Sequence, residues 1–325
     1  MADQILLGNE DLLRTDVYCD VLLATYNNAD YIRKLIVSIA AQSSTRFRLI
    51  IRDDGSTDDT VQILSEELKA FGNPLVLIKG DPSGSANANF ARLIALSSAP
   101  YTLFADADDI WDVDKVEYTL DALEQAEREL GPETPIYVYS DARVVDGHDK
   151  LLAPSYWGFK GMQPTRGMNL ATSLVCAPML GCASGSNRAL NRLCEPFPLD
   201  EVTGHDWWML LVATAFGQAR ALDRATLSYR QHGSNASMPK RSSLTDYAKS
   251  DNKFGRVRRG IHMRVKQARA LISMYGASLP PETRTVIERF VDIERQNFAR
   301  KRITLIRGGY LYPDAARNIA MLIAA

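Results

Sequence analysis

The densest chemistry in the 325-residue chain lies at Asp106, Asp108 and Asp109, three carboxylates within four positions directly after the β-favouring run Tyr101–Ala105. Trp111 closes the stretch. Carboxylates this close repel one another unless a cation lies between them. A buried strand ending in acids puts them where open α/β sheets bind ligands, at the carboxyl ends of the strands. A hard divalent cation with oxygen ligands and positions open to phosphate meets that charge without a basic side chain. Asp106 and Asp108 are the residues that would hold such an ion and a diphosphate. Two other readings fit the same letters. One is a solvated acidic turn. The other is a calcium loop, with Asp106, Asp108, Asp112, Asp114 and Glu117 at its ligand positions. That loop needs glycine at its sixth place and an oxygen at its fifth, where the chain has Trp111 and Ile110.

A second acidic turn, Asp53-Asp54-Gly55-Ser56-Thr57-Asp58, follows the apolar run Phe47–Arg52. Capping of the next helix explains Ser56 to Asp59. It does not explain Asp53 and Asp54, which precede the glycine. A carboxylate there can accept the imide N–H of uracil or thymine. A dinucleotide-binding sheet would instead need Gly-x-Gly-x-x-Gly after the first strand. The chain has Ala24-Thr25-Tyr26-Asn27-Asn28-Ala29 there, and no Gly-Lys-Ser/Thr phosphate loop. A diphosphate must then be carried by a metal.

The elements that position these turns alternate. Strands are expected at Cys19–Asn27, Phe47–Arg52, Leu75–Ile78 and Tyr101–Ala105, with helices at Tyr31–Ala41, Thr60–Ala70 and Asn89–Ser97 between them. That alternation predicts a parallel, doubly wound α/β sheet. Ile136–Asp141 reads as a further strand with an acid at its end, and Met179–Gly185 as small residues that either let backbone approach a ligand or serve packing alone. Beyond Ser237 the chain turns basic, with Lys240, Arg241, Lys249, Lys253, Arg256, Arg258, Arg259, Arg264, Lys266 and Arg269. Ile261, Val265, Ala268, Leu271, Ile272 and Tyr275 recur there at helical spacing. Helices are expected at Pro281–Ile306 and Pro313–Ala325.

Composition narrows the classes. A net charge of −1 gives no general pull towards nucleic acid, so no nucleic-acid partner is expected. No stretch approaches the roughly 18 apolar residues of a membrane span. Charged residues punctuate Met1–Asp20, which has no signal-peptide core. Cys19, Cys176, Cys182 and Cys194 show neither zinc spacing nor a disulfide framework. A reducing cytoplasm is the expected setting, which leaves Asn235-Ala236-Ser237 as a chance glycosylation match.

Thr25-Tyr26-Asn27, Asp53–Asp58, Asn89-Phe90 and Asp106-Ala107-Asp108-Asp109-Ile110-Trp111, in this order, resemble the large inverting family-2 glycosyltransferases of the GT-A fold. Gly204-His205-Asp206-Trp207-Trp208 and Tyr229–Asn235 look like the later motifs of its bacterial rhamnosyltransferase-like branch. The resemblance covers residues 18 to 238, which leaves 1–17 as an N-terminal extension and 239–325 as a C-terminal basic helical region. It implies a mixed, mostly parallel GT-A sheet with that helical appendage.

The resemblance also implies roles. Asp106 and Asp108 match the family's metal and nucleotide carboxylates, Asp108 as the direct ligand. Asp54, with Thr25 and Asn27, matches base recognition, and Tyr26, Asp53 and Asn89 belong to the same nucleotide-binding set. Arg230 reads either as a phosphate partner or as a surface cation. His232 matches a metal or diphosphate ligand. The cofactor is Mn²⁺ or Mg²⁺, and imidazole favours Mn²⁺. Asp206 is the general base implied, flanked by His205, Trp207 and Trp208; the alternative is that it caps a helix at Met209–Ala215. Trp207 and Trp208, with Trp157 in an expected aromatic loop at Pro154–Pro164, would shape an acceptor pocket. The donor implied is dTDP-L-rhamnose, with a UDP-hexose as the near alternative and a non-catalytic binding module as the different class. The acceptor is a growing bacterial surface polysaccharide or lipid-linked glycan. The basic helices would then serve as a homodimer interface or as a peripheral membrane contact.

Overall fold

In the computed structural model, residues 3–162, 164, 168–232 and 253–324 are described, without the side chains at 253, 254 and 256. Asn235-Ala236-Ser237, the Gly233–Asn235 end of the last motif, and Lys240, Arg241 and Lys249 lie outside them. The chain divides into two compact units. The first comprises Met1–Tyr156, Met179–Phe197 and Arg220–Ala236; the second comprises Trp157–Pro178, Pro198–Ala219 and Ser237–Ala325.

The first unit is built on a ten-stranded sheet. Its strands are β1 (Gln4–Leu7), β2 (Cys19–Thr25), β3 (Arg48–Asp53), β4 (Leu75–Lys79), β5 (Tyr101–Asp106), β6 (Ile110–Trp111), β7 (Ile136–Asp146), β8 (Leu151–Ala153), β9 (Ser184–Asn187) and β10 (Gln218–Gln231). They run in the order β1-β4-β3-β2-β5-β9-β7-β10-β6, with β8 paired to β7. The central four, β4-β3-β2-β5, are parallel. Val21-Leu22-Leu23 and Leu49-Ile50-Ile51 within them are fully buried, as strands covered on both faces must be. Crossover helices Ile32–Ala40, Thr60–Glu67 and Ala86–Leu96 connect them. The last begins earlier than its apolar periodicity indicates, because the Ser85 side chain accepts the Ala88 N–H at 3.2 Å and caps it there.

Three sequence expectations change. Residues 1–17 are not merely an extension: β1 pairs antiparallel with β4 and forms the sheet edge. Asp141 does not end its strand, since β7 continues to Asp146; Asp141 is buried and accepts from the Ala142 N–H (2.8 Å) and the Ser155 hydroxyl. The small residues of Met179–Gly185 serve packing. They lead into β9, where a Cβ on Gly185 would lie 2.9 Å from Thr119 Cγ2 and 3.2 Å from the Thr102 carbonyl.

The second unit is helical. His205–Phe216 is its buried element, and Lys253–Tyr275, Pro281–Val291, Phe298–Arg307 and Ala315–Ala324 follow. The single helix expected over 281–306 is broken by a 3₁₀ turn at Asp292–Arg295, and Asn297 restarts it by accepting the Arg300 N–H at 3.0 Å. The expected aromatic loop instead contains a short helix, Tyr156–Lys160, whose Trp157 is buried with its indole N–H on the Pro178 carbonyl at 3.1 Å. No helix among the described residues is long and apolar enough to cross a membrane.

Candidate active site

The parallel register sets the geometry of the first unit's site. Thr25 stands opposite Asp53, and Ala24 lies between Arg52 on one side and Asp106 on the other. The turns after β2, β3 and β5 therefore open side by side. The first two are laced together: the Asn27 N–H donates to Ser56 Oγ (2.8 Å), the Thr57 N–H to Asn27 Oδ1 (2.8 Å) and the Asn28 N–H to Thr60 Oγ1 (2.8 Å). Asn27 takes a φ of 51°, a conformation asparagine tolerates. Tyr26 is exposed, and the buried hydroxyl of Thr25 has no hydrogen-bond partner among the described residues.

Asp53 and Asp54 part company. Asp53 is buried and closes its own turn, accepting from the Gly55 (3.1 Å) and Ser56 (2.9 Å) N–H groups and from the Ser56 hydroxyl. Asp54 takes the Arg52 guanidinium (2.7 Å) and both the N–H and hydroxyl of Ser83 (2.8 Å each). Arg52 is the hub. Fully buried, it makes a two-pronged pair with Asp3 (2.8 and 2.9 Å) and donates to Asp54, to Asn89 Oδ1 (2.9 Å) and to the Asp81 carbonyl (3.1 Å). Asn89 returns a bond to the Arg52 carbonyl at 3.1 Å, so it positions Arg52 from beneath. Arg52 holds the Asp3 carboxyl below its usual range.

The flat face of that guanidinium lies on Gly80, where a Cβ would sit 2.0 Å from Arg52 Nη2. Gly80→Ala must therefore displace the Arg52 guanidinium. The expected cost is about 1–3 kcal/mol of stability, as for overpacked cores. Urea unfolding checks this; unchanged stability would show that the guanidinium moves aside freely.

At the third turn, Asp106 and Asp108 are partly exposed and Asp109 is buried. Ligand atoms of Asp106, Asp109 and Cys182 lie within 4.8 Å of one another. Burial, then the charges of Asp108 and Asp106, push the Asp109 carboxyl well above the usual range. Burial raises the Cys182 thiol likewise. A hard cation prefers carboxylate oxygens to a thiol, so Asp106 and Asp109 are the better ligands of the cluster. Cys182 lies in the Met179–Gly185 run that the sequence marks for close backbone approach, but nothing there marked the thiol itself. Nor did anything mark the burial of Lys115, whose desolvation lowers its pKa to about 8.

β10 brings the last members. His232 Nε2 stands 2.7 Å from Asp108 Oδ2, and its ring packs on Tyr31 with centroids 4.7 Å apart. Arg230 is not a surface cation. It is 1% exposed, donates through Nε to the Asp108 carbonyl at 2.8 Å and pairs with Asp149, while its N–H bonds Asp109 Oδ1 at 3.2 Å. It fixes the backbone of the acidic turn from behind. The remaining acids of the possible calcium loop are engaged elsewhere: Asp112 with Arg143, Asp114 with Arg224, and Glu117 with the Ser43 hydroxyl at 2.8 Å.

In the second unit, Asp206 occupies the first turn of helix His205–Phe216. Gly204 is the N-cap, without a side chain to do the capping. Asp206 Oδ1 accepts the Trp207 N–H at 2.7 Å, and a Cβ on Gly204 would lie 2.4 Å from that oxygen. The cap position is thus Gly204 rather than Asp206. Burial lowers the His205 pKa against the pull of Asp206. Trp208 is fully buried and stacks on Tyr275 at 6.0 Å, so it is core; Trp207 is part-exposed, its indole N–H on the Ser173 carbonyl at 2.8 Å.

Known proteins resemble this chain. A dTDP-rhamnosyl transferase, RfbG, from Shigella flexneri is 27% identical over 220 residues, which are 66% of this chain and 72% of that protein. The crystal structure of S. aureus TarS 1-349 with UDP and the structure of the mannosyltransferase PcManGT from Pyrobaculum calidifontis with GDP-Man and Mn²⁺ each superpose with a TM-score of 0.55, at 17% and 15% identity. They cover 84% and 91% of this chain, which spans 69% and 74% of theirs. They show a shared GT-A fold. The model of the family described as glycosyl transferase family 2 matches residues 20–189, through all three acidic and polar turns. With more than half of its length so matched, the chain belongs to glycosyl transferase family 2 and is an enzyme rather than a non-catalytic binding module.

Proposed function

We propose that this glycosyltransferase moves L-rhamnose from dTDP-L-rhamnose onto a growing bacterial surface polysaccharide or lipid-linked glycan, with inversion at the anomeric carbon. The observation that carries the donor site is the register of β2, β3 and β5. It sets Asp54, Asp106 and Asp108 on adjacent turns, with His232 2.7 Å from Asp108. The likeness to a dTDP-rhamnosyl transferase supports the sugar and the base. A UDP-hexose is the second reading, favoured by the TarS structure with UDP, since one carboxylate accepts the imide of uracil and thymine alike.

Asp54 and the hydroxyl of Thr25 would receive the base, with Asn27 and Tyr26 beside them. Asp106 and Asp108, with His232, would hold Mn²⁺ or Mg²⁺. The fit rests on the donor set: oxygen ligands for a hard cation and one imidazole. When bound, such an ion stabilises the charge of a departing diphosphate. Asp206 would take the proton of the acceptor hydroxyl as its oxygen bonds to the anomeric carbon and the bond to the diphosphate breaks. Trp207 and Trp157 belong to the acceptor side of this reading.

A thermal-shift screen of dTDP, UDP and their sugars with Mn²⁺, with Mg²⁺ and with chelator tests it. At a hundredfold excess over Kd, a ligand stabilises the native state by about 2.7 kcal/mol. dTDP-L-rhamnose with either ion should shift the melt, and chelator should abolish the shift. A shift with UDP compounds alone selects the second reading. No shift with any nucleotide would overturn the donor site.

The setting proposed is the cytoplasmic face of a membrane. Phe298, Ile303, Ile306, Ile319 and Ile323 are exposed on the last two helices, among Arg300, Lys301, Arg302 and Arg307. Arg302 ties the two helices by donating to the Ile323 carbonyl at 3.2 Å. Apolar side chains within a basic field suit an anionic interface, where each cation adds about 1 kcal/mol. The chain should co-sediment with phosphatidylserine vesicles at low salt and be released at high salt; failure to sediment at low salt would sink this.

A further inference from the structure

Within the second unit, a cavity of about 250 Å³ opens between the helices Lys253–Tyr275 and Ala315–Ala324 and the segment around Cys176. Its polar lining is notable for its sign: Arg264 and Arg317 face it, and no carboxylate lines it among the described residues. Arg264 lies between two aromatic rings, its guanidinium carbon 5.6 Å from the Trp207 centroid and 5.5 Å from that of Tyr312. Its Nε is buried with no hydrogen-bond partner among the described residues. Arg317 donates one N–H to the Lys160 carbonyl at 2.8 Å. Neither arginine forms an ion pair with a described carboxylate; Asp314 accepts the backbone N–H of Arg317 instead, at 2.9 Å. Nearby groups register the same field. Lys160 is lowered by burial and then by the charge of Arg317. Burial raises the Cys176 thiol to about 11, and the two arginines pull it the other way. Met162, Val175 and Met321 supply an apolar wall.

Two part-exposed guanidiniums without a counter-ion among the described residues, one of them with a buried Nε left over, suit an anion that completes them. The two rings restrict Arg264, so little rotamer freedom is lost when its planar fork meets a carboxylate or phosphate. The volume lies below the roughly 300–1,000 Å³ of pockets for drug-sized ligands, which leaves room for one sugar-sized unit. We propose that this cavity binds the oxyanion of an acidic sugar unit, a carboxylate or a phosphoryl group, with Arg264 and Arg317 on its oxygens and the apolar wall against its carbons. The proposal names an acidic acceptor class for the transferase reading and rests on that reading for its place in the reaction. The binding itself does not require donor or metal.

Isothermal titration of the full chain, without nucleotide and with chelator present, separates the two readings. The probes are glucuronate, glucose 1-phosphate, glucose and inorganic phosphate. One of the acidic sugars should bind at least tenfold more tightly than glucose, and more tightly than inorganic phosphate. Arg317→Gln should weaken that binding about tenfold or more, as loss of a charge-assisted hydrogen bond does. Arg264→Lys, which keeps the charge and loses the fork, should fall between. Both variants should keep the wild-type melting cooperativity; if Arg317→Gln does not, Arg264→Lys carries the test. Equal binding of glucose and the acidic sugars would overturn the proposal, as would full affinity in the folded variants. Inorganic phosphate binding as tightly as the acidic sugars would mark an adventitious anion site and also overturn it.

Discussion

Replacing Asp206 with asparagine is expected to lower sugar transfer about 10²- to 10⁴-fold, the range for removal of a general base, while the donor still binds with its metal. The substitution keeps size and an acceptor oxygen. Asparagine can therefore still take the Trp207 N–H that Asp206 Oδ1 accepts at 2.7 Å, and the helix start, capped at Gly204, should hold. Only the capacity to remove a proton is lost. The helix beneath it is rigid: Trp208 is fully buried against Tyr275, and Met209 to Ala213 are buried behind it. A fall in kcat with unchanged donor-induced thermal shift supports the assignment. Wild-type turnover in Asp206→Asn would remove Asp206 from the mechanism, whatever happened at the donor site.

The largest stability effect is expected at Asp20. Its carboxylate and the Arg48 guanidinium are both fully buried, paired at 2.8 and 2.9 Å. Asp20 Oδ2 also accepts from the Ser97 hydroxyl (2.9 Å) and from the Ser98 (3.0 Å) and Ala99 (3.1 Å) N–H groups. Asp20→Ala therefore strands a buried cation and three neutral donors at the start of β2. Breaking a buried pair in this way costs about 3–5 kcal/mol, a large part of the ~5–15 kcal/mol that holds a domain folded. Urea unfolding should show the free energy of unfolding falling by that amount. A change under about 1 kcal/mol would mean that water reaches Arg48. Joint replacement of Asp20 by Leu and Arg48 by Met should recover much of the loss, since no charge is then left alone.

The acidic turns were legible because their signals are local. A continuous apolar run that stops at acids marks a buried strand and what lies at its end, and both can be read within ten residues at Tyr101–Asp109. Helix periodicity is local in the same way, which is why Ile32–Ala40 and Thr60–Glu67 fall where the pattern puts them. Boundaries slipped where a cap rather than the pattern decided, at Ser85 and Asn297. Asp53 and Asp54 are adjacent and chemically identical, so no pattern separates them; the fold does, by giving one a turn to close and the other an arginine.

By itself, then, the order of residues determined the alternating strands and helices, the acids at the strand ends and the family. Tertiary structure alone decided which of those acids face outward. It also recruited Asp3 and Asn89 to a buried Arg52, turned Arg230 inward beneath Asp108, set Cys182 beside Asp109 and gathered Arg264 and Arg317 around one cavity. The reason is physical. A charged side chain in a sequence looks solvated until its desolvation is offset by partners tens or hundreds of residues away, and those partners meet only when the sheet and helices have closed.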